Sequence, residues 1–119
     1  MMIDCNVQEP YWSQLGTTKV VECRLNRGKF ANVIPGNILR AMCDGHQDQS
    51  KFLVVTSIKV YPSFEAMFCA EWIHRVLPQS IDDTQSTQST ESGIAIYRKF
   101  YPTEMEAQYG VVAMTVRLF

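Results

Sequence analysis

The fold turns on one stretch, Thr18-Lys19-Val20-Val21-Glu22-Cys23-Arg24-Leu25. Its β-branched pair, Val20 and Val21, opens an alternation that sets Val21, Cys23 and Leu25 on one face and Glu22, Arg24 and Asn26 on the other. A strand of this kind has one dry face and one face equipped for chemistry. Glu22 and Arg24 stand roughly 7 Å apart by strand geometry, so they can flank one ligand or bond each other. Arg24 offers a planar fork of donors that suits a phosphate or a base edge, whereas Glu22 accepts from an exocyclic amine or takes a proton. Lys19 precedes the polar alternation and points nominally to the opposite face, so its entry into a shared cleft requires a bulge or twist at the strand's start. A purely structural reading makes Glu22 and Arg24 an ion pair covering one end of a barrel.

On the N-terminal side, a short strand is expected around Ile3 to Val7. Gln8 to Leu15, with Pro10 near its start and Gly16 beyond its end, is punctuated as a short helix. On the C-terminal side, Asn26-Arg27-Gly28 reads as a turn and Pro35-Gly36 as a second turn that feeds a strand over Asn37 to Cys43. Asp44 to Ser50 is polar and reads as the loop of a hairpin whose second arm runs from Phe52 to Tyr61. Ser63 is placed to cap a helix through Ala70 or beyond, with Phe64, Met67, Phe68 and Trp72 at helical spacing and Pro78 closing the region. Asp82 to Ser92 holds mostly Asp, Gln, Ser and Thr, has little to bury, and is expected to be a flexible polar loop. A further helix carries Ile94, Ile96, Tyr97 and Phe100. Thr103 and Glu106 fit a capping box for one last turn, and Tyr109 to Phe119 is apolar enough to pair centrally in a sheet. Strands broken by two or three short helices without regular βαβ alternation predict an α+β fold: one strongly bent sheet or small mixed barrel of about five to six strands.

At 119 residues the chain is the size of one domain, and 46 % apolar content supplies a core without disulfide or metal support. No apolar run is long enough to cross a bilayer, and the N-terminus does not read as a secretory signal, so the expectations are no membrane and a cytoplasmic location. Cys5, Cys23, Cys43 and Cys69 are spread widely and read as reduced, mostly buried thiols; they and the two histidines, His46 and His74, predict no metal site and no cofactor. Net charge is −1, which argues against indiscriminate nucleic-acid binding. Yet Lys19, Arg24, Arg27, Lys29 and Arg40 face only Glu22 as a local acid, so the charge is polarised. Neither a Gly-x-Gly-x-x-Gly nor a Gly-x-x-x-x-Gly-Lys motif occurs.

Gly16 to Leu25, followed by Ile34-Pro35-Gly36-Asn37-Ile38, resembles the signature of the ASCH family, which runs Gly-x-Lys-x-x-Glu-x-Arg and then Gly-Asp before a strand. Val60-Tyr61-Pro62-Ser63-Phe64-Glu65 resembles that family's strand-to-helix junction. Phe100-Tyr101-Pro102 through Tyr109-Gly110-Val111-Val112-Ala113 resembles its closing helix and strand. The resemblance implies a PUA-like pseudo-barrel with helices at its rim, a cleft beside the Lys19-x-x-Glu22-x-Arg24 strand, and RNA or a nucleoside as partner. One bacterial branch of the family hydrolyses N4-acetylcytidine with a lysine, a threonine three residues later and a distal glutamate. Lys19 matches that lysine, but Glu22 stands in place of the threonine, the distal glutamate has no secure counterpart, and Asn37 stands where the family commonly has Asp.

The expected site therefore has Lys19 and Glu22 as the groups able to perform chemistry and Arg24, Arg27, Lys29 and Arg40 as the groups able to hold nucleic acid. Tyr11, Trp12 and Tyr61 are the aromatic candidates for stacking on unpaired bases. Three functions follow: recognition of single-stranded RNA or a modified nucleoside, hydrolysis of RNA or acylated cytidine, and regulatory binding of a protein or metabolite.

Overall fold

A computed structural model describes residues 1–71, 73–77 and 86–119. Five strands form one sheet: β1 (Met2–Val7), β2 (Val21–Leu25), β3 (Ile38–Cys43), β4 (His46–Tyr61) and β5 (Val111–Leu118). Their order is β1-β3-β4-β5-β2, with β1 parallel to β3 and the other pairs antiparallel. The helices are α1 (Tyr11–Gln14), α2 (Phe64–Ala70), α3 (Ile73–Val76), α4 (Ser86–Phe100) and α5 (Thr103–Tyr109), with a 3₁₀ turn over Gly28–Asn32. The chain is thus α+β, a curled half-barrel with more helices than the two or three expected. No helix among the described residues is long and apolar enough to cross a membrane.

The sheet buries both faces. Ile3, Cys5, Val7, Leu39, Ala41, Leu53, Val55, Val112, Met114 and Val116 fill its concave side with Leu15 and Val33. Val21, Cys23, Leu25, Val111 and Ala113 pack on the other side against Phe64, Met67, Phe68, Val76, Leu77 and Tyr97 from the helical layer. β2 therefore uses its dry face to seat the helices. Because Glu22 pairs with Met114 and Arg24 with Val112, its polar face looks into the concave side.

Several local expectations are corrected. The hairpin loop over Asp44 to Ser50 shrinks to Asp44-Gly45, since β4 begins at His46 and a register shift at Met42/Cys43 absorbs the extra residues. The positive φ of this turn, 82°, falls on Gly45 alone, since no described non-glycine residue has one, so it is not the type I′ form, which needs both central residues there. The capping box at Thr103 does not form. The N-cap of α5 is Pro102 without a side-chain bond, and the Glu106 carboxylate instead accepts from the Phe64 N–H at 2.8 Å. Of the predicted loop over Asp82 to Ser92, residues 82–85 lie outside the described residues, while Ser86 to Ser92 forms the start of α4. Helix propagation adds one hydrogen bond per residue once the packed Ile94 to Tyr97 segment is fixed, so polar composition alone does not end it. Trp72 and Pro78 also lie outside the described residues.

The cap at Ser63 forms as expected, its Oγ accepting from the Ala66 N–H at 3.0 Å. Ser63→Ala is expected to lower stability by about 1 kcal/mol, read as a shift of the urea midpoint without a change in slope.

Candidate functional site

The two ends of the strand order, β1 and β2, are the free edges of the curled sheet. They do not pair with each other; a side chain joins them, with Arg24 Nη2 donating to the Asn6 carbonyl at 2.7 Å. A cavity of about 130 Å³ opens in this seam. Asn6 and Val7 supply its β1 side, Lys19, Glu22 and Arg24 its β2 side, and Ile96, Tyr97, Phe100 and Tyr101 its helical wall, with Gln8, Tyr11, Cys23 and Leu77 completing it.

Lys19 reaches the cavity without a bulge. β2 starts only at Val21, and Lys19 lies before it, in the turn bridged to Leu15. Its ammonium donates to the carbonyls of Val21 at 2.9 Å and Val76 at 2.6 Å. Val76 ends α3, so Lys19 satisfies a helix-terminal carbonyl while the Val20 N–H satisfies Arg75's. Glu22 Oε2 lies 3.8 Å from Lys19 Nζ, and their side chains are only 6 % and 2 % exposed. Arg24 Nε donates to Glu22 Oε1 at 3.2 Å, and its guanidinium lies over the Phe30 ring at 5.3 Å. Glu22 Oε2 itself is buried without a hydrogen-bond donor.

Burial works against the Glu22 charge, but Lys19 and Arg24 outweigh it and hold the carboxyl below its usual range. Lys19 is pushed below the ordinary lysine range, chiefly by burial and against the pull of Glu22. Burial raises Cys23 well above an ordinary thiol and Cys5 to about 11, so neither is a thiolate nucleophile at neutral pH. The exposed cysteine is Cys69, on α2 and remote from these groups in the sequence.

A second groove, lined by Arg27, Lys29 and Phe30, shares Arg24 and Tyr101 with the seam cavity. The Arg27 guanidinium lies 5.5 Å from the centre of the Tyr109 ring, and Lys29 Nζ lies 5.4 Å from that of Phe30; both side chains are exposed. Arg40 is elsewhere. On β3 it meets Asp4 of β1 in a two-pronged pair at 2.9 and 2.7 Å and lines neither the cavity nor this groove.

Of the three aromatic candidates, Tyr11 lines the cavity. Trp12 donates its indole N–H to Ala41's carbonyl at 2.8 Å, and Tyr61 donates to Glu71. Sequence reasoning missed Tyr97, Phe100 and Tyr101 as site residues, placing Tyr97 and Phe100 on a helix and Tyr101 in the Phe100-Tyr101-Pro102 block that follows it. Tyr97 and Tyr101 do stack on Phe64, at 4.7 and 5.6 Å between ring centres, yet each also turns an edge or face to the cavity wall. The available signal was width: apolar side chains at 94, 96, 97, 100 and 101 exceed a single buried stripe.

No family model matches the sequence, and no curated protein matches it. Solved structures do. The crystal structure of the hypothetical protein PH0355 is similar over 100 % of both chains, with 32 % identity and a TM-score of 0.83. The solution NMR structure of protein PF0455 from Pyrococcus furiosus is similar over 100 % of this chain and 98 % of its own, with 30 % identity and a TM-score of 0.75. With that identity sustained from end to end, the chain belongs to the same family as PH0355 and PF0455.

Proposed function

We propose that this chain binds single-stranded RNA or a nucleotide, with one base held in the seam cavity and its phosphate on the adjoining basic groove. The observation that carries the reading is Glu22 Oε2, a buried carboxylate oxygen without a donor, in a cavity walled by Tyr97 and Tyr101. A buried acceptor left unmated costs about 1–3 kcal/mol, and an N–H on a bound base removes that cost. Arg24 and Tyr101 border both spaces, so a nucleotide that fills the cavity leads its backbone toward Arg27 and Lys29. The resemblance of this segment to the ASCH signature supports the same reading.

The test is fluorescence anisotropy of labelled single-stranded RNA over a series of salt concentrations. Arg27→Ala and Lys29→Ala are expected each to weaken binding several-fold and to reduce the slope of log affinity against log salt by about 0.7, the value for one phosphate contact on a single strand. Unchanged affinity and slope in both variants would remove the groove from the binding surface. A failure of all RNA and nucleotide probes to bind at low salt would sink the reading.

A hydrolase acting on RNA or acylated cytidine is the second reading, favoured by one observation: a buried lysine of lowered pKa beside a carboxylate in the same cavity. There Lys19 would stabilise developing negative charge and Glu22 would move the proton. Mass spectrometry of RNA and of N4-acetylcytidine after incubation with the protein separates the two readings. Products mark an enzyme, and binding without products marks a recognition module.

A further inference from the structure

The unmated oxygen has an unmated neighbour. An ammonium carries three N–H groups, and Lys19 uses two, on the Val21 and Val76 carbonyls. Its third has no acceptor within hydrogen-bond reach among the described residues: Glu22 Oε2 is 3.8 Å away, an ion-pair distance and too long for a hydrogen bond. The cavity thus presents one donor and one acceptor side by side, both buried, paired by charge but neither hydrogen-bonded there to a described residue, and held apart by the bonds that fix Lys19 to the end of α3 and Glu22 to Arg24.

A ligand that satisfies both must itself offer an acceptor next to a donor on one edge. A carboxylate or phosphate offers only acceptors and would meet the Glu22 charge; an ammonium offers only donors and would meet Lys19. Cis-amide and amidine edges of planar heterocycles have the required order. Size restricts the choice further. An apolar cavity of about 150 Å³ holds a single benzene ring, and this one has a volume of about 130 Å³. That volume matches one six-membered ring and is smaller than a fused two-ring base.

We infer that the seam cavity selects a single-ring base and reads it by its adjacent donor and acceptor, Glu22 Oε2 taking the base's N–H and Lys19 giving a hydrogen bond to its neighbouring oxygen or nitrogen. This rests on the proposed nucleotide-binding function and adds the class of base. Pyrimidines meet both requirements; adenine and guanine carry donor–acceptor edges of the same order and fail on size. A base too large to enter leaves both buried protein groups unsatisfied, which sharpens the discrimination.

Since Lys19 and Glu22 also hold the fold together, the experiment varies the ligand and keeps the protein intact. Isothermal titration of the full chain with the 5′-monophosphates of cytidine, uridine, adenosine and guanosine is expected to show at least tenfold tighter binding of the two pyrimidines. The monophosphate of 3-methyluridine, whose methyl group blocks the donor, is expected to lose at least tenfold against uridine monophosphate. Equal affinity for all four bases, no loss on methylation, or binding of single-stranded RNA without any mononucleotide would each overturn the inference and leave RNA recognition standing. Absence of both nucleotide and RNA binding would overturn the two together.

Discussion

Glu22→Gln is expected to lose about 3 kcal/mol of unfolding free energy, because removing one partner of a buried ion pair strands the other. The substitution keeps the shape of the side chain and deletes the only carboxylate within ion-pair distance of both Lys19 and Arg24 among the described residues. Lys19 then keeps its charge against two carbonyl dipoles alone, at a position 1 % exposed. Lys19→Met in the Glu22→Gln background is expected to recover part of the loss, so that the two substitutions are non-additive by about 1 kcal/mol or more. Urea unfolding followed by circular dichroism measures both. A Glu22→Gln chain as stable as the parent would show that the ammonium does not depend on this carboxylate.

The same cluster sets a pH dependence. A carboxyl whose folded pKa lies below its ordinary value of 4.5 contributes stability that is complete above that value and is lost as pH falls below it through the folded value. The acid limb of the stability curve should therefore flatten in Glu22→Gln. Lys19 acts at the alkaline end. With its folded pKa below 10.5, the unfolded chain holds the proton more tightly, so this group's contribution rises with pH between the folded value and 10.5. Lys19→Met should lack that rise.

Gly110→Ala is the second large loss, expected at about 3 kcal/mol from strain of this kind. Gly110 joins α5 to β5 with φ 73 and ψ −169, a region that essentially only glycine occupies. A Cβ there would lie 2.8 Å from the Tyr61 carbonyl oxygen, a backbone atom unable to swing aside. The next residue, Val111, pairs with Tyr61 at the end of the β4–β5 ladder, so relief of the clash must open that ladder. Gly28→Ala is the comparison: φ is +58 and nothing lies within 4 Å of the added Cβ, so a loss of about 1 kcal/mol is expected from the left-handed conformation alone. Equal denaturation midpoints for the two variants would show that the Tyr61 contact carries no cost.

The period-two pattern made β2 legible, down to which face would be dry, because burial on alternate positions leaves a direct trace in the residues. The same holds for β5, whose nearly unbroken apolar run marks a strand paired on both sides. Glu22 and Arg24 were visible for the complementary reason: polar side chains on an otherwise apolar strand need a purpose. The seam was not legible. Asn6 and Arg24 meet across two strands that share no ladder, so neither periodicity nor register connects them in the sequence. Asp4 beside Arg40 is equally silent, since it follows from parallel pairing of β1 with β3. Glu106 fitted a local cap and served a distant one, and only the fold determines which N–H arrives first at its carboxylate.

The place of β5 between β4 and β2 has a consequence for biosynthesis. β2 has a single strand partner among the described residues, and that partner begins at Val111, far downstream in the chain. While the polypeptide is being made, β1, β3 and β4 can already assemble, but Val21–Leu25 stays without a ladder until Val111–Leu118 has emerged. The chain must close its longest loop last, which is the slow step in a topology of this kind. Lys19, Glu22 and Arg24 therefore remain hydrated through most of synthesis and enter the low-dielectric interior together, in one late event, when the final strand docks.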